Sequence, residues 1–245
     1  MSGDAILRVE ALSKRFRGLL AISDVSFAVA AGSITSVIGP NGAGKSTLFN
    51  LVTGYLAPTT GQVFFRDRPI TGLPTNRIAE LGIGRAFQIA RPFRDLSVAE
   101  NVRIGALFGK AGPRDVARTT REALELAGLA ALADEPASVL TVGQLRHLEV
   151  ARAIATRAEL LLADEPCAGL NPTETAAMID VLRRIRSSGV TVVLVEHDMP
   201  SVMEVSDRVL VLESGRLIAD GTPAEVSRNP QVIAAYLGTP DPADA

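Results

Sequence analysis

The sequence has only one cysteine, Cys167, in 245 residues. A single cysteine cannot form an internal disulfide framework, which favours a reducing compartment. Long apolar stretches are also missing, because the most apolar run, 190–195, is far short of the roughly 18 residues that a membrane span needs. Asp4, Arg8 and Glu10 interrupt any apolar run that a signal peptide would need near the N-terminus. We therefore expect a soluble chain, which partners must hold in place if it works at a membrane.

The chain also lacks a strong excess of charge of either sign. Its formal net charge is −2, so nothing indicates a polyanionic partner, and we expect no nucleic acid among its partners. Hydrophobic residues make up 47% of the sequence, which is ample for a packed core. At this length the sequence predicts one large domain, or one domain with an additional lobe.

One glycine-rich stretch organises the rest of the sequence. Residues 39–47 complete the phosphate-loop pattern G-x-x-x-x-G-K-[ST], in which glycines let backbone N–H groups approach phosphate oxygens. The lysine supplies positive charge to the phosphates, and the following serine offers a hydroxyl to Mg²⁺. The pattern needs a strand before it and a helix after it, which segments 33–38 and 45–52 supply. We expect nucleotide contacts from Gly39, Pro40, Asn41, Gly42, Ala43, Gly44, Lys45, Ser46 and Thr47.

A later apolar strand ends in two carboxylates. Residues 160–163 are Leu-Leu-Leu-Ala, and Asp164 and Glu165 follow them. Ligands bind at the carboxyl ends of the strands in an open α/β sheet, so both acids are placed for the same site as the phosphate loop. We expect Asp164 to hold Mg²⁺ through its waters, and Glu165 to face the γ-phosphate and polarise a water.

Hydrophobic periodicity divides the chain into three parts. Apolar residues alternate with polar or small ones around Val9 and around Phe27, and a further strand is predicted at 61–65. These early strands have short connections, which predicts an antiparallel layer. A strand-like piece at 85–88 follows, and from Ile89 to Thr156 the pattern changes to loops and helices, with helices predicted at 121–127 and 145–155. Strands return at 160–164, 190–195, 209–212 and 216–219, and a helix lies between Asn171 and Gly189. We expect a loop at 109–113 and a frayed tail at 239–245.

Three further positions have two interpretations each. Phe16, in the loop between the first two strands, can stack on an adenine ring or lie in the core. His197, just after the strand 190–195, can sense the γ-phosphate or be a surface histidine in a turn. The segment 140–144 opens the helix 145–155 and can be a second anion site for the nucleotide of another subunit, or an ordinary N-cap filled by Thr141.

The order of these segments resembles the ATP-binding subunit of ABC transporters over nearly the whole chain. That family names them Walker A (39–47), Q-loop (Gln88), signature (140–144), Walker B (164–165), D-loop (169–171) and switch histidine (His197). The common signature is Leu-Ser-Gly-Gly-Gln. The corresponding residues after Leu140 are Thr141, Val142, Gly143 and Gln144. The threonine keeps a hydroxyl for the partner's γ-phosphate, whereas the valine replaces a flexible glycine.

The resemblance implies an α/β fold with a RecA-like P-loop NTPase core, an antiparallel β subdomain and an inserted helical subdomain. The core with its β layer would comprise residues 1–88 and 157–238, the helical lobe 89–156, and the tail 239–245.

The resemblance also implies the chemistry, which is ATP hydrolysis. Adenine would lie against Phe16, and Mg²⁺ between Ser46, Gln88 and Asp164. Glu165 would be the general base and His197 the γ-phosphate sensor. Gln88, which joins the core to the helical lobe, would report the nucleotide state to a membrane partner.

The subfamily resembles the ATPases of branched-chain amino acid importers, on the stretches 85–88, 196–199 and 221–238. This implies transmembrane permease subunits, a second ATPase subunit (a copy or a related chain) and, indirectly, a periplasmic or extracellular solute-binding protein, with the chain on the cytoplasmic face of the cell membrane. Arg91, Phe93 and Arg94 are candidates for the permease contact, or form a solvated loop. The alternatives are a urea, amide or lipopolysaccharide system, the ATPase of a soluble assembly such as iron–sulfur cluster biogenesis, and a nucleotide-binding module without hydrolysis.

Overall fold

The computed structural model describes residues 5–110 and 115–237. The strands in this part are β1 (Ala5–Phe16), β2 (Leu19–Ala30), β3 (Ile34–Ile38), β4 (Thr60–Phe65), β5 (Arg68–Pro69), β6 (Ile83–Ala86), β7 (Leu160–Asp164), β8 (Thr191–Val195), β9 (Arg208–Glu213) and β10 (Arg216–Gly221). The helices are α1 (Lys45–Val52), α2 (Thr75–Leu81), α3 (Val98–Phe108), α4 (Val116–Leu126), α5 (Val142–Ala155), α6 (Pro172–Ser187), α7 (Met199–Val205), α8 (Pro223–Val226) and α9 (Pro230–Leu237). The expected tail at 239–245 and part of the expected loop at 109–113 lie outside the described residues.

The N-terminal strands form an antiparallel sheet in the order β2-β1-β4-β5. β1 and β2 make a long hairpin, in which Leu7 pairs with Val29 and, at its tip, Phe16 pairs with Leu19. The predicted antiparallel layer is confirmed. Phe16 is the last residue of β1 and not a loop residue, because the hairpin pairing extends to this position.

The second sheet is mostly parallel, in the order β10-β9-β3-β8-β7-β6, with β10 antiparallel to β9 at one edge. All five residues of β3, β7 and β8 are buried, as expected of strands covered on both faces. β3 lies between β8 and β9, and β8 lies between β3 and β7. The loops that follow β3, β7 and β8 therefore leave the sheet at one edge, side by side.

β6 ends two residues before the predicted strand end at Gln88. Its pairing with β7 runs from Ile83 opposite Leu160 to Ala86 opposite Ala163. Beyond this point the chain leaves the sheet, so Phe87 and Gln88 lie in the segment that leads to the helices.

Helices α3, α4 and α5 occupy the predicted helical segment. α5 begins at Val142 and not at Leu145, because the Thr141 side chain accepts a hydrogen bond from the Gln144 N–H, and the Gln144 side chain accepts one from the Thr141 N–H. This capping box starts the helix within the glycine-containing segment itself.

One hydrophobic cluster joins the helical segment to the parallel sheet. It runs from Val102 on α3 and Leu148 on α5 to Met178 on α6 and Leu161 on β7. A second cluster fills the space between the two sheets and includes Phe49 of α1. The helical segment thus packs on one face of the parallel sheet and the antiparallel layer on the other, and the division at 88/89 and 156/157 stays a prediction.

Candidate functional site

The loop between β3 and α1 needs glycine for steric reasons. Gly39 and Gly44 have φ of 150° and 105°, which side chains rarely adopt. A Cβ at Gly39 would lie 2.1 Å from the carbonyl oxygen of Leu212, and one at Gly44 would lie 2.8 Å from that of Ala21. The loop is therefore pressed against two neighbouring backbones while it turns into the helix.

Lys45 is held inside this loop. Its Nζ donates hydrogen bonds to the carbonyl oxygens of Gly39, at 2.6 Å, and Pro40, at 3.1 Å. Burial lowers the pKa of Lys45, while the nearby carboxylates of Glu165 and Asp164 act in the opposite direction. Within the described residues, no side chain caps the N-terminus of α1. Its first N–H groups and the lysine ammonium are the donor set that a phosphate group requires.

A cavity of about 520 Å³ opens beside the loop. It is lined by residues 41–47, Glu165 and, at the hairpin tip, Phe16. Phe16 is 39% exposed, so it does not lie in the core and its ring is accessible beside the cavity. A ring here is suited to stacking on a flat heterocycle.

The structure adds Arg85 to the site, a residue that the sequence argument did not single out. Arg85 Nη2 donates to Asp164 Oδ2 at 2.8 Å, and both side chains are less than a tenth exposed. Arg85 Nη1 donates to the side chains of Asn50 and Thr53 on α1. The guanidinium also lies 4.8 Å from the ring centroid of Phe87. A charged residue inside the otherwise apolar strand β6 was the available signal.

Three predicted residues meet at the ends of β6, β7 and β8. Gln88 Nε2 donates to Glu165 Oε2 at 2.6 Å, and His197 Nδ1 lies 3.9 Å from the same oxygen. Glu165 has a φ of 49°, a conformation that is rare for a residue with a side chain and is found at functional sites. His197 is 59% exposed and lies in the segment that connects β8 to α7.

The predicted metal ligands Ser46, Gln88 and Asp164 line one further cavity, of about 580 Å³. Their oxygens are the donors that a hard cation such as Mg²⁺ prefers. Among the described residues there is no cluster of three or more His, Cys, Asp or Glu that would hold a metal. One carboxylate with neutral oxygens suits Mg²⁺ that is held partly by substrate phosphates, so the residues fit the ion.

The segment 141–144 does not join this site within one chain. None of its residues is among those lining the two cavities around Lys45 and Ser46. Thr141 caps α5, Val142 is 58% exposed, and Gly143 is buried against Glu174 of α6. Thr141 therefore fills the N-cap of α5 and leaves Val142 facing outward, while a second anion site at this segment stays a prediction.

The predicted contact residues Arg91, Phe93 and Arg94 follow Gln88 in the same connecting segment. Phe93 is half exposed, and Arg152 of α5 lies over its ring at 5.6 Å. The Arg91 N–H donates to Glu149. Within residues 5–110 and 115–237, no helix is long and apolar enough to cross a membrane.

Two family descriptions match the sequence. The ABC transporter family matches residues 22–168, and the branched-chain amino acid ATP-binding cassette transporter family matches residues 216–242. The high-affinity branched-chain amino acid transport ATP-binding proteins LivG of Salmonella typhimurium and BraF of Pseudomonas aeruginosa are each 42% identical, over 95% of this chain and 98% of theirs. The lipopolysaccharide export ATP-binding protein LptB of Acidithiobacillus ferridurans is 32% identical, over 95% and 97%.

Solved structures of transporter cassettes have the same fold. The ADP conformation of the ATP-binding cassette MJ1267 superposes with a TM-score of 0.87 at 31% identity, covering 97% of this chain and all of that one. The dimeric bacterial cassette MJ0796 has a TM-score of 0.77 at 25% identity, covering 89% and 98%. The RecA-like ABC ATPase fold predicted from the sequence is confirmed.

Proposed function

This chain belongs to the ABC transporter family and is the ATPase subunit of a transporter, and from that premise we propose that it powers the uptake of branched-chain amino acids. The observation that carries the proposal is the phosphate loop with Lys45 at its centre, open to a cavity that Glu165 also lines. The match of residues 216–242 to the branched-chain amino acid cassettes supports the choice of substrate. Identity to LivG and BraF exceeds identity to LptB, which disfavours lipopolysaccharide.

The phosphate loop binds the substrate through fixed donors. Residues 41–47 line the cavity and present backbone N–H groups to the phosphates, and Lys45 exchanges its carbonyl partners Gly39 and Pro40 for phosphate oxygens. Phe16 stacks on the adenine. Because Lys45 is buried before the substrate arrives, its charge needs little reorganisation.

Ser46, Gln88 and Asp164 would hold Mg²⁺, which supplies charge neutralisation at the phosphates. Gln88 can serve two groups at once. Its Nε2 donates to Glu165, which leaves its Oε1 free to face the cation. Arg85 occupies Asp164 Oδ2, so Oδ1 is the oxygen of Asp164 that is available for the ion or its waters.

Glu165 and His197 act on the water and the γ-phosphate. Glu165 orients the attacking water and accepts its proton, with Oε2 held by Gln88 and Oε1 available. His197 is near enough to move between Glu165 and the phosphate, because it is exposed and lies 3.9 Å from that carboxylate.

A complete site requires a second ATPase subunit. Thr141, Val142, Gly143 and Gln144 do not line the cavity of their own chain, so they are proposed to face the nucleotide of the partner. The dimeric cassette MJ0796 supports this arrangement by analogy.

The permease contact is proposed at Arg91, Phe93 and Arg94 and at the adjoining groove between α2, α3 and the segment after β6. Tyr55, Phe87, Ile104 and Phe108 line this cavity of about 360 Å³, and Phe108 is 76% exposed. Gln88 directly follows Phe87, so a change at the nucleotide can move this groove. The contact would place the chain on the cytoplasmic face of the membrane, with the solute-binding protein reached only through the permease.

The test of the shared site combines Glu165→Gln with ATP. This variant keeps the shape of the side chain but removes the base, so we expect a lasting dimer by light scattering, while the parent with ADP stays monomeric. Adding Val142→Asp should separate the dimer, because it places a carboxylate against the partner's phosphates. Adding Leu107→Asp, at a half-exposed position of α3, is the matched control and should leave the dimer intact.

Four outcomes would contradict parts of the proposal. A dimer that ignores nucleotide, or that survives Val142→Asp, rejects the shared site. Absence of phosphate release by the parent favours a binding module, and failure to co-purify with permease subunits favours the ATPase of a soluble assembly.

A further inference from the structure

We propose that Glu196 is a positioning residue for His197, and that its buried carboxylate ties together the segments that follow β7 and β8. The inference rests on the proposed function, because the position of His197 matters to turnover only in an ATP-hydrolysing enzyme. Nothing in the phosphate-loop chemistry requires an acid at this position.

Glu196 is completely buried, and its two oxygens have separate backbone partners. Oε1 accepts a hydrogen bond from the Cys167 N–H at 2.8 Å, and Oε2 accepts one from the His197 N–H at 3.3 Å. The Glu196 side chain thus links the backbone of His197 with the backbone of Cys167, two positions after Glu165.

The burial of this carboxylate is costly unless these contacts stabilise it. Among the ion pairs of the described residues, Glu196 has no lysine or arginine partner, and the imidazole Nδ1 of His197 lies 3.9 Å from Glu196 Oε2. Burial raises the pKa of Glu196, while the hydrogen bonds from Cys167 and His197 act in the opposite direction. An apolar side chain would fill this space at lower cost, so the two backbone contacts are the reason for an acid here.

The linkage fixes the backbone on both sides of the site. The Glu165 N–H donates to the Val195 carbonyl at 2.9 Å. The next contact between the two segments is the hydrogen bond from the Cys167 N–H to the Glu196 carboxylate. On the other side, Asp198 caps α7 by accepting from the Ser201 N–H. Between these anchors the His197 backbone is held by Glu196, while its ring is largely exposed. The direction of the imidazole therefore depends on the Glu196 carboxylate.

Glu196→Gln tests the linkage with little change of shape. An amide has one acceptor oxygen, so glutamine can satisfy only one of the two N–H groups. We expect it to keep the shorter, buried Cys167 contact and to lose the His197 contact. Turnover should then fall roughly tenfold, with the KM for ATP changed less than about twofold. Cys167→Ala is the matched control: it removes the thiol but keeps the N–H donor, and should retain the turnover of the parent.

A double-mutant cycle separates positioning from a general structural role. In a His197→Ala background the ring is absent, so adding Glu196→Gln should change turnover by less than about twofold. The chain has two histidines, so ¹⁵N-histidine labelling gives two backbone amide signals. Glu196→Gln should shift the His197 signal but not the His147 signal, and Cys167→Ala should shift neither.

The outcomes are distinct. Equal losses from Glu196→Gln with and without the His197 ring, or an unmoved His197 amide signal, would overturn this inference in an otherwise active enzyme. A parent without ATP hydrolysis, or a His197→Ala variant as active as the parent, would overturn the role of His197 in the proposed function and this inference with it.

Discussion

Replacing Arg85 with methionine should destabilise the protein strongly, because it leaves the Asp164 carboxylate buried without its partner. The two side chains are 9% and 7% exposed, and their charged atoms are 2.8 Å apart. Removing one member of such a buried pair costs about 3–5 kcal/mol. The same change also removes the hydrogen bonds from Nη1 to Asn50 and Thr53, at 2.7 and 3.2 Å. The methionine recovers part of the packing against Phe87.

The free energy of unfolding from urea titration measures this cost. Arg85→Met combined with Asp164→Leu removes both charges, so we expect the double variant to be less destabilised than the sum of the single variants by about 2–3 kcal/mol. Arg186→Met is the matched control. It breaks a pair with Asp207 whose side chains are 45% and 40% exposed, and should cost at most about 1 kcal/mol.

Additive losses in this cycle would refute the argument. So would an Arg85→Met variant no less stable than Arg186→Met, because either result means that Asp164 is stabilised without Arg85.

Two further predictions concern the nucleotide. Lys45→Ala removes the cation that is proposed to face the β- and γ-phosphates, so titration calorimetry should show loss of tight ATP binding. Near-parent affinity would reject the proposed role of the loop. His197→Ala should leave ATP binding nearly intact and lower turnover in a phosphate-release assay, because the ring is proposed to contact the γ-phosphate mainly in the closed state. Unchanged turnover would support a surface histidine instead.

The elements predicted best are those with strong local signals. The run 160–164 is apolar and ends in an acid, and it is strand β7 with those bounds. Helix α6 has Asn171 as N-cap, Pro172 in its first turn and Glu174 closing a capping box, so its start could be located from three residues. Such signals depend only on residues that are neighbours in the sequence, so the sequence alone predicts these element bounds.

The contacts that the sequence could not show are those between elements far apart in the chain. Arg85 and Asp164 are 79 residues apart, and they meet because the parallel pairing places β6 beside β7. Glu196 follows an apolar strand, like many surface acids. Its complete burial depends on the Cys167 N–H lying 2.8 Å away, after another strand. Both contacts, Arg85 with Asp164 and Cys167 with Glu196, therefore depend on the topology of the sheet and not on a local sequence pattern.

Of the segment 141–144, Val142 and not Gly143 is the position suited to a charge that tests the dimer interface. A Cβ at this position would lie 3.0 Å from Glu174 Oε1, and that carboxylate closes the capping box of α6. An aspartate at 143 would therefore repel a carboxylate of its own chain, and loss of a dimer would not identify the partner's phosphates as the cause. Val142 is 58% exposed at the first position of α5, where a carboxylate is compatible with the helix dipole. Loss of the ATP dimer in Val142→Asp, with unchanged stability of the isolated chain, therefore reports on the interface itself.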